Sequence, residues 1–255
     1  MSKGQYITGL RAVEQLLAGD TSSVRRIFAE YQTANPRVEA VIRTARQAGI
    51  DIQAANRARL TQISGESRHQ GVVAEVRRST LLDEAGLRSM VEDRLQQPGE
   101  RPLLLLILDG VQDPHNLGAC MRTADAAGVD AVVVPRHGAA GLGPTVSKVA
   151  AGAAEQLPFV PVSNLGRVLA WLAEYGVRTV GTSDKADMDL YQADLSGPLA
   201  LVMGREHTGL GKGIADRCTA LVSLPMQGVV SSLNVSVATG VCLYEIVRQR
   251  ALHGG

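Results

Sequence analysis

Residues 103–108 read Leu-Leu-Leu-Leu-Ile-Leu, between Pro102 and Asp109-Gly110. A continuous apolar run of strand length suits a strand covered on both faces, the kind found inside a parallel sheet. The chain beyond it keeps to that plan. Strand candidates follow at Ala131–Val134, Phe159–Val162, Val177–Thr182, Leu199–Met203 and Leu221–Leu224. Helical patterns fall between and after them, at Leu117–Ala127, Leu165–Tyr175 and from Val235 to Arg250. Such alternation predicts an α/β fold with a mostly parallel sheet and helices on both faces. Ligands of these sheets bind beyond the carboxyl ends of the strands.

The first 78 residues form a smaller alternating pattern. Leu10, Val13, Leu16 and Leu17 repeat at helical spacing after Thr8 and Gly9. A strand at Val24–Ala29, a helix at Val38–Ala48 stopped by Gly49, a strand at Ile50–Gln53, a helix at Arg57–Ile63 and a strand at Val72–Val76 follow. Residues 1–78 are therefore read as a small α/β domain and 102–255 as the main one. Residues 79–101 are read as a linker holding one helix, Asp83–Gln96, and ending in Gln97-Pro98-Gly99-Glu100-Arg101-Pro102.

Charge separates the two parts. Residues 1–78 carry 12 Lys+Arg against 7 Asp+Glu, a balance of +5, and residues 79–255 carry 14 against 18, a balance of −4. The first domain is thus the better candidate for meeting a polyanion. Aromatic residues make up only 3%, which disfavours base stacking as the main mode of recognition. Cys120, Cys218 and Cys242 are widely spaced, with no pair suited to a zinc knuckle or a disulfide framework. No run is long enough to span a membrane. The expectation is a cytoplasmic protein with no metal and no membrane segment.

Three segments, each after a predicted strand, carry the candidate chemistry. In the first, Asp113-Pro114-His115-Asn116-Leu117-Gly118-Ala119-Cys120-Met121-Arg122-Thr123, Asn116 is placed to cap the helix. Gly118 leaves a gap for a close neighbour, and Arg122 sits among apolar residues, where a permanent cation calls for a carboxylate or phosphate. In the second, Met203-Gly204-Arg205-Glu206-His207-Thr208-Gly209, glycines open the backbone and Glu206 is a plausible mate for Arg122. The third, Leu224-Pro225-Met226-Gln227-Gly228-Val229-Val230-Ser231-Ser232-Leu233-Asn234-Val235-Ser236, gathers four small polar side chains at the mouth of the last helix. That pattern suits either an N-cap or a ligand site. His115 and His207 read more readily as loop residues than as bases, and Lys148 as a groove or helix-surface residue and not a catalytic one. No G-x-G-x-x-G fingerprint is present, which disfavours a dinucleotide-dependent redox enzyme.

Together these segments resemble the three motifs of the SpoU/TrmH family of RNA ribose 2′-O-methyltransferases, within the SPOUT class. Asn116, Gly118, Arg122 and Thr123 match the first motif, Gly204, Glu206 and Gly209 the second, and Pro225, Gly228, Ser232, Leu233, Asn234 and Ser236 the third. Gly9–Val13 and His69–Ala74 make the first domain similar to the RNA-recruiting domain of family members that act on 23S ribosomal RNA.

The resemblance implies S-adenosylmethionine as methyl donor, a deep trefoil knot at the C-terminus, and a homodimer sharing its active sites. It implies a cofactor cradle of Gly204, Leu224, Met226 and Leu233. Arg122, with Asn116, Glu206, Ser232 and Asn234 around it, would serve the reaction. The implied substrate is large-subunit ribosomal RNA, methylated on a guanosine ribose of the peptidyl-transferase P loop. The alternatives are the same reaction on transfer RNA or another ribosomal nucleotide, and a catalytically silent RNA-binding protein.

Overall fold

The computed structural model describes residues 5–18, 21, 24–30, 35–76, 81–97, 101–206 and 208–253. The chain divides into two compact units, Met1–Ser79 and Thr80–Gly255.

In the first unit, strands β1 (Gln5–Thr8), β2 (Val24–Glu30), β3 (Asp51–Ala55) and β4 (Val72–Val76) form one sheet in the order β1-β4-β2-β3. Strand β4 runs antiparallel to both neighbours, while β2 and β3 are parallel. Helices α1 (Leu10–Ala18) and α2 (Pro36–Gln47) bury Val13, Leu17, Val38, Val41 and Ala45 against one face. Helix α3 (Arg57–Ser64) buries Leu60 with Phe28 and Val73 on the other. The sequence reading contained no β1, a four-residue edge strand with a single partner.

The second unit begins with α4 (Glu84–Gln96), capped by the Asp83 carboxylate, which accepts the Gly86 N–H. Leu87 and Val91 of this helix are fully buried in the second unit's core, so the helix expected within the linker packs as part of that unit. Six parallel strands follow: β5 (Leu104–Leu108), β6 (Ala131–Pro135), β7 (Phe159–Val162), β8 (Arg178–Thr182), β9 (Leu199–Met203) and β10 (Ala220–Val222). Their order is β10-β8-β9-β5-β6-β7. Every residue of β5 and β9 is buried. Alternate side chains serve opposite faces. Leu104, Leu106, Leu108, Leu199, Leu201 and Met203 pack toward α5 (Pro114–Ala126), α6 (Pro144–Ala150) and α9 (Val235–His253). Leu105, Ile107, Ala200 and Val202 pack toward α4 and α7 (Leu165–Glu174). This is why the runs show no polar alternation. Helix α8 (Lys212–Ala215) is a single turn.

The last helix is fastened at its far end. The Arg250 guanidinium donates to the carbonyls of Pro102 (3.0 Å), Leu103 (3.0 Å) and Gly197 (2.7 Å), beside the starts of β5 and β9. Gln249 accepts the Leu195 N–H at 2.8 Å. Among the described residues, no helix is long and apolar enough to cross a membrane.

Candidate active site

Helix α5 starts earlier than its apolar pattern suggests. Asp113, not Asn116, is the N-cap: its carboxylate accepts the His115 N–H at 2.8 Å, and Pro114 takes the first turn, where a missing N–H costs nothing. Asn116 is therefore free for another task. Its side-chain N–H donates to the Glu206 carboxylate, and its carbonyl accepts from the Asn234 side chain at 3.1 Å. One carboxamide thus joins all three motifs.

Asn234 does two things at once. Its carbonyl oxygen accepts the Ser236 N–H (2.9 Å) and the Ser236 hydroxyl (2.6 Å), which caps α9. Its amide reaches Asn116. The two readings of this polar cluster, cap and site, are compatible.

The pairing of Arg122 with Glu206 does not form. Arg122 lies on the exposed side of α5 and has no ion-pair partner among the described residues, while Glu206 binds Asn116 instead. The apolar neighbours of Arg122 in sequence, Cys120 and Met121, turn inward and leave the guanidinium in solvent. Gly118 does provide the close approach expected of it. A Cβ there would lie 2.7 Å from Val149 Cβ and 3.0 Å from the Val146 carbonyl oxygen of α6.

The second motif is a tight loop. Arg205 N–H donates to the Gly209 carbonyl and Gly209 N–H to the Arg205 carbonyl, each at 3.0 Å. A Cβ on Gly204 would fall 2.2 Å from the Gly209 carbonyl carbon, so only glycine fits. His207 lies outside the described residues. His115 is exposed, as is Lys148 on α6.

Beyond the carboxyl ends of β8, β9 and β10 lies a cleft of about 380 Å³. Gly204, Leu224, Met226 and Leu233, the four residues expected at a cofactor, all line it, together with Glu206 and Ser232. Asn116, Arg122 and Asn234 do not. A wall at Thr182–Lys185 was absent from the sequence reading. Its signal was position, at the carboxyl end of a predicted strand. Leu224 lies past β10, which ends at Val222, two residues earlier than its apolar pattern suggests. Among the described residues, no group of His, Cys, Asp and Glu is arranged to hold a metal ion.

Residues 103–244 match the SpoU rRNA Methylase family, and residues 6–82 match the RNA 2′-O ribose methyltransferase substrate binding family. The chain is 46% identical to the 23S rRNA (guanosine-2′-O-)-methyltransferase RlmB of Ralstonia nicotianae, over 99% of this chain and 98% of that protein. It is 48% identical to the protein of the same name from Shewanella oneidensis, over 98% of this chain and 99% of that one. Among solved structures it resembles the SpoU methyltransferase AviRb of Streptomyces viridochromogenes in complex with AdoMet, with a TM-score of 0.59 and 26% identity, covering 97% of this chain and 90% of the other. It also resembles an AdoMet-bound rRNA methyltransferase from Sinorhizobium meliloti, with a TM-score of 0.56 and 26% identity, covering 96% and 87%. A complete set of three motifs, drawn together at the carboxyl ends of a parallel sheet, agrees with these likenesses: the chain belongs to the SpoU rRNA methylase family.

Proposed function

We propose that this protein transfers a methyl group from S-adenosylmethionine to the ribose 2′-hydroxyl of a guanosine in 23S ribosomal RNA. The observation that carries this reading is the Asn116 carboxamide, which ties Glu206 and Asn234 together beside a cleft of cofactor size. A volume of about 380 Å³ falls within the usual range for small-molecule sites. The lining also suits the donor: Met203, Leu210, Val222, Leu224 and Leu233 are apolar, and Thr182, Ser183 and Ser232 supply hydroxyls. When bound, S-adenosylmethionine supplies a methyl group on a sulfonium, ready for in-line displacement.

The ribose hydroxyl must lose its proton at or before attack. A guanidinium stays protonated in proteins, so Arg122 serves better as a phosphate grip and a donor to the developing oxyanion than as a base. Glu206 holds Asn116, and Asn116 holds Asn234, so the three segments present one fixed surface to the ribose. Ser232 stands at the edge of the cleft for the same purpose.

We further propose that the active form is a homodimer. Arg122 is exposed and outside the cleft of its own chain, which supports delivery to the cleft of a second copy. Val237 and Tyr244, two turns apart on α9, are more than half exposed and give an apolar stripe for such an interface. A C-terminal trefoil knot, a rare departure from unthreaded connections, belongs to the same proposal and rests on membership of the SpoU rRNA methylase family. The first unit would recruit the RNA, and a cytoplasmic location follows from that substrate.

Labelled S-adenosylmethionine supplied with 23S rRNA free of modification tests the reading, with the product mapped for 2′-O-methyl nucleotides. One labelled guanosine is expected. Label on transfer RNA alone would transfer the chemistry to another substrate. Cofactor binding without transfer to any RNA would make the protein an RNA-binding module.

A further inference from the structure

Two cations at the carboxyl edge of the sheet are left unused by the proposed site. Arg205 follows the end of β9, and Arg136 follows the end of β6, with β5 between those strands in the sheet. Both side chains are exposed, and neither has an ion-pair partner among the described residues. Adjacent strands lie about 4.8 Å apart, so the two strand ends are separated by about 10 Å.

Arg205 is held through its side chain and Arg136 through its backbone. The stem of Arg205 lies across Gly110, in the turn after β5, where a Cβ would meet Arg205 Nε at 2.6 Å and Cγ at 3.1 Å. Gly110 adopts φ +83, a conformation that also favours glycine. The Arg136 N–H donates to the Val162 carbonyl at 2.8 Å. The loop beyond Arg136 is pinned to the same β5 turn: Ala140 N–H donates to the Val111 carbonyl (2.8 Å), and the Gln112 side chain donates to the Gly138 carbonyl (3.3 Å). The acids of that turn are otherwise occupied. Asp109 is buried and accepts the Gly211 N–H at 3.3 Å, and Asp113 caps α5.

A guanidinium on an anchored residue and lacking a protein acid is suited to gripping phosphate. Arg205 also lines the cleft, so a phosphate it held would bring a ribose to the cleft mouth. We propose that Arg205 and Arg136 form a phosphate rim, each gripping a phosphodiester of the RNA strand on either side of the ribose presented to the cleft. This rests on the RNA methyltransferase reading above and adds two contacts, one from Arg205 within the second motif loop and one from Arg136 outside the three motifs.

The test compares the full-length wild type with Arg205→Gln, Arg136→Gln, the double variant and Arg205→Lys, on an unmodified 23S rRNA transcript. RNA affinity is measured across a salt series, methyl transfer at saturating cofactor, and cofactor affinity by calorimetry without RNA. Each glutamine variant is expected to weaken RNA binding about tenfold and to lower the salt slope by about one unit. Cofactor affinity should stay at the wild-type value, and Arg205→Lys should keep the slope. A double variant with wild-type RNA affinity and slope overturns the rim, as does one that loses cofactor affinity in place of RNA affinity. Wild-type transfer on the same transcript keeps the two ideas apart. If the wild type transfers methyl and the variants match it, the rim alone fails; if the wild type transfers none, the functional reading fails and takes the rim with it.

Discussion

Gly118→Ala sets two effects of opposite sign against each other. Alanine in a helix interior is favoured over glycine by about 1 kcal/mol. Intrinsic preference alone therefore makes the variant more stable. The packing of α5 on α6 opposes this. The new methyl would sit 2.7 Å from Val149 Cβ and 3.0 Å from the Val146 carbonyl oxygen. Carbon atoms prefer about 3.5–4.0 Å, so α6 would have to move by close to an ångström. Val149 could shift a side-chain methyl, but Val146 offers backbone. Overpacking of this kind costs about 1–3 kcal/mol. The net expectation is destabilisation by about 1–2 kcal/mol once the helix gain of about 1 kcal/mol is subtracted from the upper part of that range. Trp171, the chain's single tryptophan, is buried in the second unit, so its fluorescence during denaturant unfolding reports the relevant transition. Val149→Gly, which removes the Cβ that the new methyl meets, should recover about 1 kcal/mol on the Gly118→Ala background as a coupling term. A Gly118→Ala protein more stable than the wild type would refute the packing argument and leave helix preference in charge.

Arg122→Ala should abolish methyl transfer while changing stability by less than about 0.5 kcal/mol, because the side chain is exposed and has no ion-pair partner among the described residues; loss of the folded state in circular dichroism would make it a structural residue. Asn116→Ala removes the bonds to Glu206 and Asn234 and should slow transfer about 100-fold through misplacement; a wild-type single-turnover rate would count against that role. Burial pushes the thiols of Cys120 and Cys242 up to about 11 and about 12. The fold therefore keeps protons that the unfolded chain releases above pH 9, so stability is fully present below that pH and falls as pH rises toward 12. Cys242→Ala should flatten this decline in denaturant midpoints measured from pH 8 to pH 11, and an unaltered slope would show that the thiol is not its source.

What the chain disclosed by itself depended on how local each determinant was. The Leu103–Leu108 and Leu199–Met203 runs were legible because both faces of their strands are covered. Gln5–Thr8 was not, since a four-residue edge strand with polar ends looks like any short extended segment. The start of α5 was misjudged although Asp113-Pro114 is a strong opening signal; the motif drew attention to Asn116 instead. That residue's actual partners lie 90 and 118 positions away, and no local rule selects them. The same limit explains Arg122. Four positions of sequence context suggested burial, but the orientation of α5 set by α6 and α9 turns it outward.

The Asn116 junction has a consequence for biosynthesis. Its partners belong to segments made long after it, and the second of them opens the final helix. Closing such wide loops carries an entropic cost that local helices and turns do not. A nascent chain halted before Asn234 emerges could join Asn116 to Glu206 but would lack the bond that ties the third segment to them. Competence would arrive in a single step with Asn234 and the helix it opens, so premature termination would leave inert fragments and no slow, error-prone modifier of ribosomes.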